Sequence, residues 1–365
     1  MKVLIAGGGT GGHLFPGVAI AEALVAREPD TEVLFVGTER GIEARVLSKL
    51  GWKLATIDAS GLKTVGAWGA IKGLFRVPRA LWQSRRIIKR FRPNAVVGVG
   101  GYASGPAVLA AWLMRRPTSI LEQNSIPGLT NKILGKFVRA VFIAFDETRR
   151  FFKPTKLIMT GTPIRAQIRR QIEARRELSN PGIDDDTFHL FVFGGSQGAM
   201  AVNEVVAEAV VALAAAGKPM AVVHQTGERD LERTQQRYAD GGVDADCRAF
   251  IDDMATEYHR ADLVIARSGA ATVAELAAAG VPAILIPFPS AADNHQEINA
   301  REMADRGAAI LCKQSELDAA KLSEHLAKLM DDPAALERMR SDMNALGRPD
   351  AADRIVDWLI DVQKS

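Results

Sequence analysis

The sequence predicts an α/β protein made of two Rossmann-like parallel-sheet domains in series. Three observations carry that expectation. A strand, a glycine turn and a helix open the chain in "KVLIAGGGTGGHLFPGVAIAEAL", and the same grammar returns in "FHLFVFGGSQGAMAVNEVVAEAVVAL". Short β-rich runs alternate with helical periods, the pattern of a parallel sheet with right-handed crossovers. The 365 residues also exceed one usual domain, which takes roughly 100–200.

Each element follows from its own pattern. "KVLIAG" is an apolar strand run, and the spacing from Phe15 to about Arg27 predicts a helix. "EVLFVGT", a helix around "IEARVLSKLG" and the strand "WKLATIDA" come next. The strands "NAVVGVGG", "TSILEQ", "AVFIAF" and "KLIMTG" complete the first series, after which Thr162 and Pro163 offer a cap and a first helical residue. "IRAQIRRQIEARRELSNPGIDDD" is a charged helix running into a proline- and glycine-punctuated connector. A second series then runs "FHLFVF", "MAVVHQTG", "CRAFID", "DLVIARSG" and "PAILIPF". Ligands of such sheets bind beyond the carboxyl ends of the strands, so chemistry is expected at the glycine turns.

Composition narrows the function classes. Two cysteines, Cys247 and Cys312, form neither a C-x-x-C nor a Cys/His cluster, which excludes a disulfide framework and fits a reducing compartment. "MKVLIAGGG" has too short an apolar run for a secretory leader and reads as the first strand of a cytoplasmic protein. Ala95 to Met114 is uncharged over a length that could span a bilayer, but its glycines and Pro106 divide it into strand, loop and helix.

The net charge of +3 hides an asymmetry, since residues 1–163 hold 24 Lys+Arg against 10 Asp+Glu and the remainder 22 against 33. No acidic residue lies between Asp58 and Glu122, where Lys63, Lys72, Arg76, Arg79, Arg85, Arg86, Lys89, Arg90, Arg92, Arg115 and Arg116 are all basic. Trp68, Ile71, Leu74, Phe75, Leu81 and Trp82 interleave with these cations. Such a stretch suits an anionic membrane surface, or a helix covering a core. No nucleic-acid module accompanies the charge.

Backbone N–H groups at a helix start bind anions, and glycine lets phosphate oxygens come close. The turns Gly7 to Gly12 and Gly194 to Gly198 have this form, and "GVGGYASGP" makes a third. Gly7, Gly9 and Gly12 also match the G-x-G-x-x-G of dinucleotide sites, but the expected acidic partner is only a late Glu39 and the second turn lacks G-x-G. An NAD(P)-dependent oxidoreductase is one alternative; a non-catalytic nucleotide-sugar-binding, membrane-associated protein is another. His13 follows the glycines, where an imidazole can take a proton from a hydroxyl or only hydrogen-bond its loop.

In "ARSGAATVAELAAAG" Ser268 offers a helix cap with Thr272 and Glu275 on the same face. The Glu275 carboxylate suits paired ribose hydroxyls or a solvated face. Gln296 and Asn299 share one side of a helix as amides suited to sugar hydroxyls, while Asp293 and Gln296 also read as a capping pair. The histidines are scattered, Asp252 and Asp253 are the nearest acidic pair, and no metal site is expected.

These segments, with "EQNSIPGLTNK", "GTPIR", "FIDDMA" and "PFPSAADNHQEINA", together resemble the MurG family of peptidoglycan N-acetylglucosaminyltransferases, in order from the first strand to about residue 310. The resemblance implies a GT-B glycosyltransferase, two Rossmann-like domains facing a cleft. Its acceptor and membrane-facing domain is expected over 1–163 and its UDP-GlcNAc-binding domain over 164–345, with a final helix, about 346–365, returning to the first. It implies inverting, metal-independent transfer of GlcNAc from UDP-GlcNAc to the C4 hydroxyl of MurNAc in lipid I (undecaprenyl-diphosphate-MurNAc-pentapeptide), forming lipid II, without a cofactor. The partners implied are UDP-GlcNAc, lipid I, an anionic membrane at the cytoplasmic face of the inner membrane, and other cell-wall synthesis proteins, but no nucleic acid.

By the same resemblance Thr10, Gly11 and Gly12 lie near the reacting sugar, Asn124 close to the transferred sugar, and Arg165, Ser196 and Gln197 near the nucleotide. Ile251 meets the uracil through its backbone, and Ala270, Ala271, Thr272, Val273, Ala274 and Glu275 line the diphosphate and ribose. Gln296 and Asn299 hold GlcNAc hydroxyls, His13 is the base candidate, and Tyr102 and Glu122 position the acceptor. Ile71, Leu74, Phe75, Trp82, Arg76, Arg79, Arg85 and Arg86 form the membrane-facing surface. The chain departs from the family at Leu121, commonly histidine, and at Thr162, commonly asparagine.

Overall fold

The computed structural model describes residues 1–38, 42–59, 67–177, 187–195 and 198–364, and the side chains among them other than those of 67–76, 175–177 and 292. The chain divides into two compact units, Met1–Ala166 with Pro349–Ser365, and Gln167–Arg348. The division falls at Ala166 rather than after 163 because the next residues are tied to α1 (Gly11–Arg27). The Arg165 guanidinium lies 5.2 Å from the centre of the Phe15 ring, and the Ala166 N–H donates to Glu22.

The first unit begins β1 (Lys2–Gly7), α1, β2 (Glu32–Gly37), α2 (Glu43–Lys49), β3 (Lys53–Thr56) and α3 (Ala67–Phe91). It continues β4 (Ala95–Gly100), α4 (Ser104–Leu113), β5 (Thr118–Glu122), α5 (Leu129–Leu134), β6 (Ala140–Ile143) and β7 (Leu157–Met159). The strands form one seven-stranded parallel sheet, ordered β3-β2-β1-β4-β5-β6-β7. A parallel sheet needs cover on both faces, so its central strands are apolar throughout; β4 is buried from end to end. One face packs Ile5, Phe35 and Val97 against Leu14 and Val18 of α1, and the other packs Leu4, Val96 and Ile120 with Val108 of α4 and Ile88 of α3. The strand order reverses between β1 and β4, whose carboxyl ends therefore form the switch point where open sheets take ligands.

Helix α1 starts at Gly11 rather than at Phe15. Thr10 is extended at the N-cap and its carbonyl accepts from the N–H groups of His13 and Leu14, which brings His13 into the first turn. The uncharged stretch from Ala95 divides into β4, a turn and α4, and among the described residues no helix is long and apolar enough to cross a membrane.

The second unit runs α6 (Ala166–Glu177), β8 (Phe188–Phe193), α7 (Met200–Ala215), β9 (Met220–Gln225), α8 (Leu231–Asp240), β10 (Ala245–Arg248), α9 (Met254–Arg260) and β11 (Leu263–Ala266). Then come α10 (Ala270–Ala279), β12 (Ala283–Leu285), α11 (His295–Ala304), β13 (Ala309–Leu311), α12 (Ala319–Asp331) and α13 (Pro333–Leu346). Its parallel order, β10-β9-β8-β11-β12-β13, reverses between β8 and β11. Strand β13 falls outside the strands expected from the sequence and joins the sheet through its parallel ladder to β12. Thr162 and Pro163 do not open α6, because residues 161–164 are buried and non-helical, and the buried Thr162 hydroxyl has no hydrogen-bond partner among the described residues.

Helix α14 (Ala351–Lys364) returns to the first unit, burying Ile355, Val356 and Leu359 in the α1 side of its core, with Trp358 edge-on to Phe142. Each buried aliphatic side chain is worth roughly 1.5–3 kcal/mol, whereas the half-exposed Arg27–Asp357 ion pair adds about 1 kcal/mol or less. The apolar stripe, not the ion pair, brings this helix back.

Candidate active site

At the first switch point the β1–α1 turn is held from behind by a carboxylate. Glu43, the first residue of α2, is fully buried; its Oε2 accepts from the Gly9 N–H at 2.9 Å, and its Oε1 from the Thr38 N–H and hydroxyl at 2.7 and 2.9 Å. A Cβ at Gly8 or Gly37 would stand 2.6 Å from this side chain, so close approach requires both glycines. Burial opposes ionisation of Glu43, but the donors from Thr38 and Gly9 outweigh it and hold the carboxyl below its ordinary range.

In front of the same turn, Thr10 Oγ1 and His13 Nδ1 are 3.0 Å apart, and the imidazole rests over Gly100 of β4, where any Cβ would run into the ring. Nε2 can act as a base only in the tautomer whose Nδ1–H donates to Thr10. Gly12 and Thr10 are exposed and Gly11 and His13 half-buried, while Tyr102, in the β4–α4 turn, stands in the open.

Glu122, at the end of β5, is 2 % exposed. It accepts from the N–H groups of Asn124 and Gly128 at 3.1 and 3.3 Å and from Asn131 Nδ2 at 2.8 Å. Burial pushes its carboxyl up to about 7 against the pull of those donors. Glu122, expected to help position the acceptor, has its carboxylate taken up in tying down the loop after β5. Asn124, half-buried in that loop, accepts the Thr148 hydroxyl on its carbonyl at 3.1 Å.

At the second switch point Ser196 and Gln197 lie outside the described residues. Behind their turn, the buried Gln225 of β9 donates Nε2 to the Gly195 carbonyl at 3.1 Å and accepts the Ile251 N–H on Oε1 at 2.8 Å. Of the Ile251 backbone expected to meet the uracil, the N–H is thus already taken by Gln225, and the side chain is buried. Beneath Gln225, His224 lies between the Tyr238 hydroxyl at 3.0 Å and Asn203 Oδ1 at 3.1 Å, and burial pulls its pKa down to about 3, leaving a neutral ring.

Among the described residues no side chain caps helix α10 after Gly269, so the N–H groups of Ala270, Ala271 and Thr272 remain for an anion. Val273 is corrected to a core residue: its side chain is buried and its N–H bonds the Gly269 carbonyl. Ser268 is not the cap but a buried hydroxyl donating to the Gln296 carbonyl at 2.8 Å. Ala274 and Glu275 are half-buried on the next turn, where Glu275 Oε2 accepts from the Tyr258 hydroxyl at 3.0 Å; Tyr258 itself is packed edge-on to Phe191 and Phe193.

Gln296 Oε1 accepts the Phe288 N–H at 2.9 Å, which fixes the orientation of its amide. Asn299 is fully buried and donates Nδ2 to the Ser268 carbonyl at 3.2 Å, so it anchors α11 to the start of α10 instead of facing a sugar. Asp293 and Gln296 form no capping pair, since left-handed Asn294 precedes α11. Asp253 of the acidic pair is the N-cap of α9, through the Thr256 N–H at 3.1 Å. Among the described residues no three His, Cys, Asp or Glu side chains cluster as a metal site requires.

On the first unit, α3 packs on α4 and α4 on α5, and their outer surface is apolar and basic together. Trp82, under the Arg86 guanidinium, is exposed, and so are Trp112, Leu113, Leu129, Ile133 and Phe137. Arg85 of α3 and, in the segments after α4 and α5, Arg115, Lys136 and Arg139 stand exposed, while Arg79 pairs with Asp58 at 3.7 Å. The side chains of Ile71, Leu74, Phe75 and Arg76 lie outside the described residues.

Comparison with known proteins places this geometry. Residues 3–143 match the glycosyltransferase family 28 N-terminal domain and residues 189–355 its C-terminal domain. The UDP-N-acetylglucosamine--N-acetylmuramyl-(pentapeptide) pyrophosphoryl-undecaprenol N-acetylglucosamine transferase of Myxococcus xanthus is 49% identical over 362 residues, 99% of this chain and 93% of that one. Its namesake from Geobacter sulfurreducens is 48% identical, covering 99% and 98%. The crystal structure of Acinetobacter baumannii MurG matches with a TM-score of 0.82 at 32% identity over 99% of each chain. The chain belongs to the MurG family. A UDP-GlcNAc 2-epimerase from Neisseria meningitidis, at TM-score 0.69 and 14% identity over 99% of this chain and 100% of its own, shares the fold.

Within the MurG family frame, the first unit assembles His13, Thr10, Gly11 and Gly12 at one turn, and the second gathers the α10 start with Glu275 and Gln296. Arg165 belongs to the first unit, with its guanidinium against the Phe15 ring. The oxidoreductase alternative finds no support, because an ionised carboxylate takes the N–H of the second fingerprint glycine. Leu121, where the MurG family commonly has histidine, is a fully buried core residue of β5. Sequence reasoning missed Glu43, Gln225, Tyr258 and Asn131. Only Gln225 carries a signal, a polar residue ending a strand before a glycine in "HQTG".

Proposed function

We infer that this chain is an inverting N-acetylglucosaminyltransferase that moves GlcNAc from UDP-GlcNAc to the C4 hydroxyl of MurNAc in lipid I, forming lipid II. The observation that carries the assignment of roles is the His13 imidazole, set by Thr10 and Gly100 at the switch point of the first sheet. The C4 oxygen attacks the anomeric carbon as the bond from that carbon to the UDP oxygen breaks, inverting the centre. The C4 proton passes to His13 Nε2, with Nδ1–H held by Thr10 Oγ1. A base so placed contributes about 10²–10⁴ in rate. The electron pair of the broken bond leaves with UDP, whose charge is met by the uncapped amides of Ala270, Ala271 and Thr272. Glu275 accepts from ribose hydroxyls, and Gln296 presents its amide to the sugar.

The enzyme docks peripherally at the cytoplasmic face of the inner membrane, where its lipid-linked acceptor resides. The exposed Trp82, Trp112, Leu113, Leu129, Ile133 and Phe137, among exposed arginines and lysines, support this reading. Cosedimentation with anionic vesicles is expected to weaken with salt and when Trp112 and Ile133 are made serine; indifference to both would sink this surface. The activity is tested with labelled UDP-GlcNAc and a lipid I analogue, beside UDP-GalNAc and an EDTA sample. Transfer from UDP-GlcNAc that survives EDTA is expected. Binding of the nucleotide sugar without transfer to the acceptor would overturn the assignment.

A further inference from the structure

The front of the β1–α1 turn carries His13, and the back of it is held by a carboxylate that takes no part in bond making. The geometry points to Glu43 as a positioning residue for His13, acting through Gly9 and Thr10; this rests on His13 being the base.

Three donors, the N–H of Gly9 and the N–H and hydroxyl of Thr38, converge on the two Glu43 oxygens. A carboxylate accepts all three; a glutamine has one acceptor oxygen and would turn its NH₂ against an N–H. Filling the space beneath Gly8 needs only an aliphatic side chain, and burying a charge is costly unless its hydrogen bonds do something an aliphatic group cannot. What they do is fix the backbone. Gly9 is held at φ 85, Thr10 next to it is the N-cap of α1, and the Thr10 hydroxyl sets the His13 ring, which has Gly100 on its other side. The turn is thus clamped between the carboxylate and the end of β4, and a shift at Gly9 passes to the imidazole within four residues. Misplacing a reacting group by about 1 Å can cost on the order of 10²-fold in rate.

The test uses the full-length protein with UDP-GlcNAc and a lipid I analogue, comparing Glu43→Gln, Thr10→Val and His13→Ala singly and in pairs. Glu43→Gln is expected to lower kcat about tenfold or more while the KM for UDP-GlcNAc stays within about twofold, since positioning affects the reacting geometry rather than donor binding. In the His13→Ala background the same substitution is expected to have no further effect, because there is no ring left to place. Multiplying losses in the double variant, or a native-like Glu43→Gln with unchanged kcat, would overturn the role. If Glu43→Gln does not fold, exposed Thr10→Val breaks the same line at its last link, and its loss must likewise vanish without His13. Normal kcat in His13→Ala alone would instead bring down the base assignment, and this role with it.

Discussion

The β1–α1 turn of the first unit and the β8–α7 turn of the second share one grammar and one place, the carboxyl edge of a switch point, but different groups stand behind them. Behind the first is the ionised Glu43, and behind the second the neutral amide of Gln225 with the neutral His224 below it. A carboxylate that consumes the Gly9 N–H removes an anion-binding donor and adds a negative charge, which disfavours phosphate at that point. An amide bridging Gly195 and Ile251 adds no charge, so it does not set this turn against an anion. A glycine turn after a strand therefore names a place, and the residue behind it selects the chemistry.

The comparison breaks first at its most reactive group. His13→Ala is expected to lower kcat by about 10²–10⁴ with little change in the KM for UDP-GlcNAc, read by steady-state kinetics; a selective rise in KM would move His13 to the donor side. Gln225→Glu copies the first unit's charge into the second. It should raise the KM for UDP-GlcNAc by roughly 10–100-fold, equivalent to about 1.4 kcal/mol per tenfold, with a smaller effect on kcat. An unchanged KM would mean that the group behind the turn does not matter. Tyr258→Phe removes one donor to Glu275 and should weaken UDP-GlcNAc by about threefold to tenfold, the net worth of one ordinary hydrogen bond. The loss should shrink for a 2′-deoxyribose analogue; an equal loss for both would take Glu275 away from the ribose.

The smallest effects are on stability, and they run in opposite directions. Glu122 is raised in the folded state from 4.5 to about 7, so the stability it contributes is complete below about 4.5 and is lost as pH rises through 7. His224 is depressed from 6.5 to about 3, so its contribution is complete above 6.5 and is lost as pH falls towards 3. Between about pH 4.5 and 6.5 the two trends oppose each other, so melting temperatures measured from pH 4 to 8 should rise more steeply with pH in Glu122→Gln and fall with pH in His224→Gln across that window. An unchanged pH dependence in both variants would show that neither group is the source.

Much of the fold was legible because parallel sheets write themselves into sequence as short apolar runs bounded by glycine. β1, β4, β8 and β11 lie inside the runs that predict them, and the final helix returns to the first unit on its apolar stripe. The misses have a common cause. Phe15 looks like the start of α1 because glycines look non-helical, yet a carbonyl at Thr10 nucleates the helix at Gly11. Asn299 and Glu122 look like ligands because amides and carboxylates bind sugars, and each is consumed by a neighbouring loop.

By itself, then, the sequence determined the two α/β units, the strand ends at which ligands are expected, the basic character of the first half and, through ordered motifs, the MurG family. Only the tertiary structure decided which polar groups remain available to a substrate. Hydrogen bonds between residues distant in the chain, such as Glu43 to Gly9, Gln225 to Ile251 and Asn299 to Ser268, leave no periodic trace. A buried donor or acceptor must be satisfied by whatever the fold brings beside it, so its role is settled by packing and not by spacing.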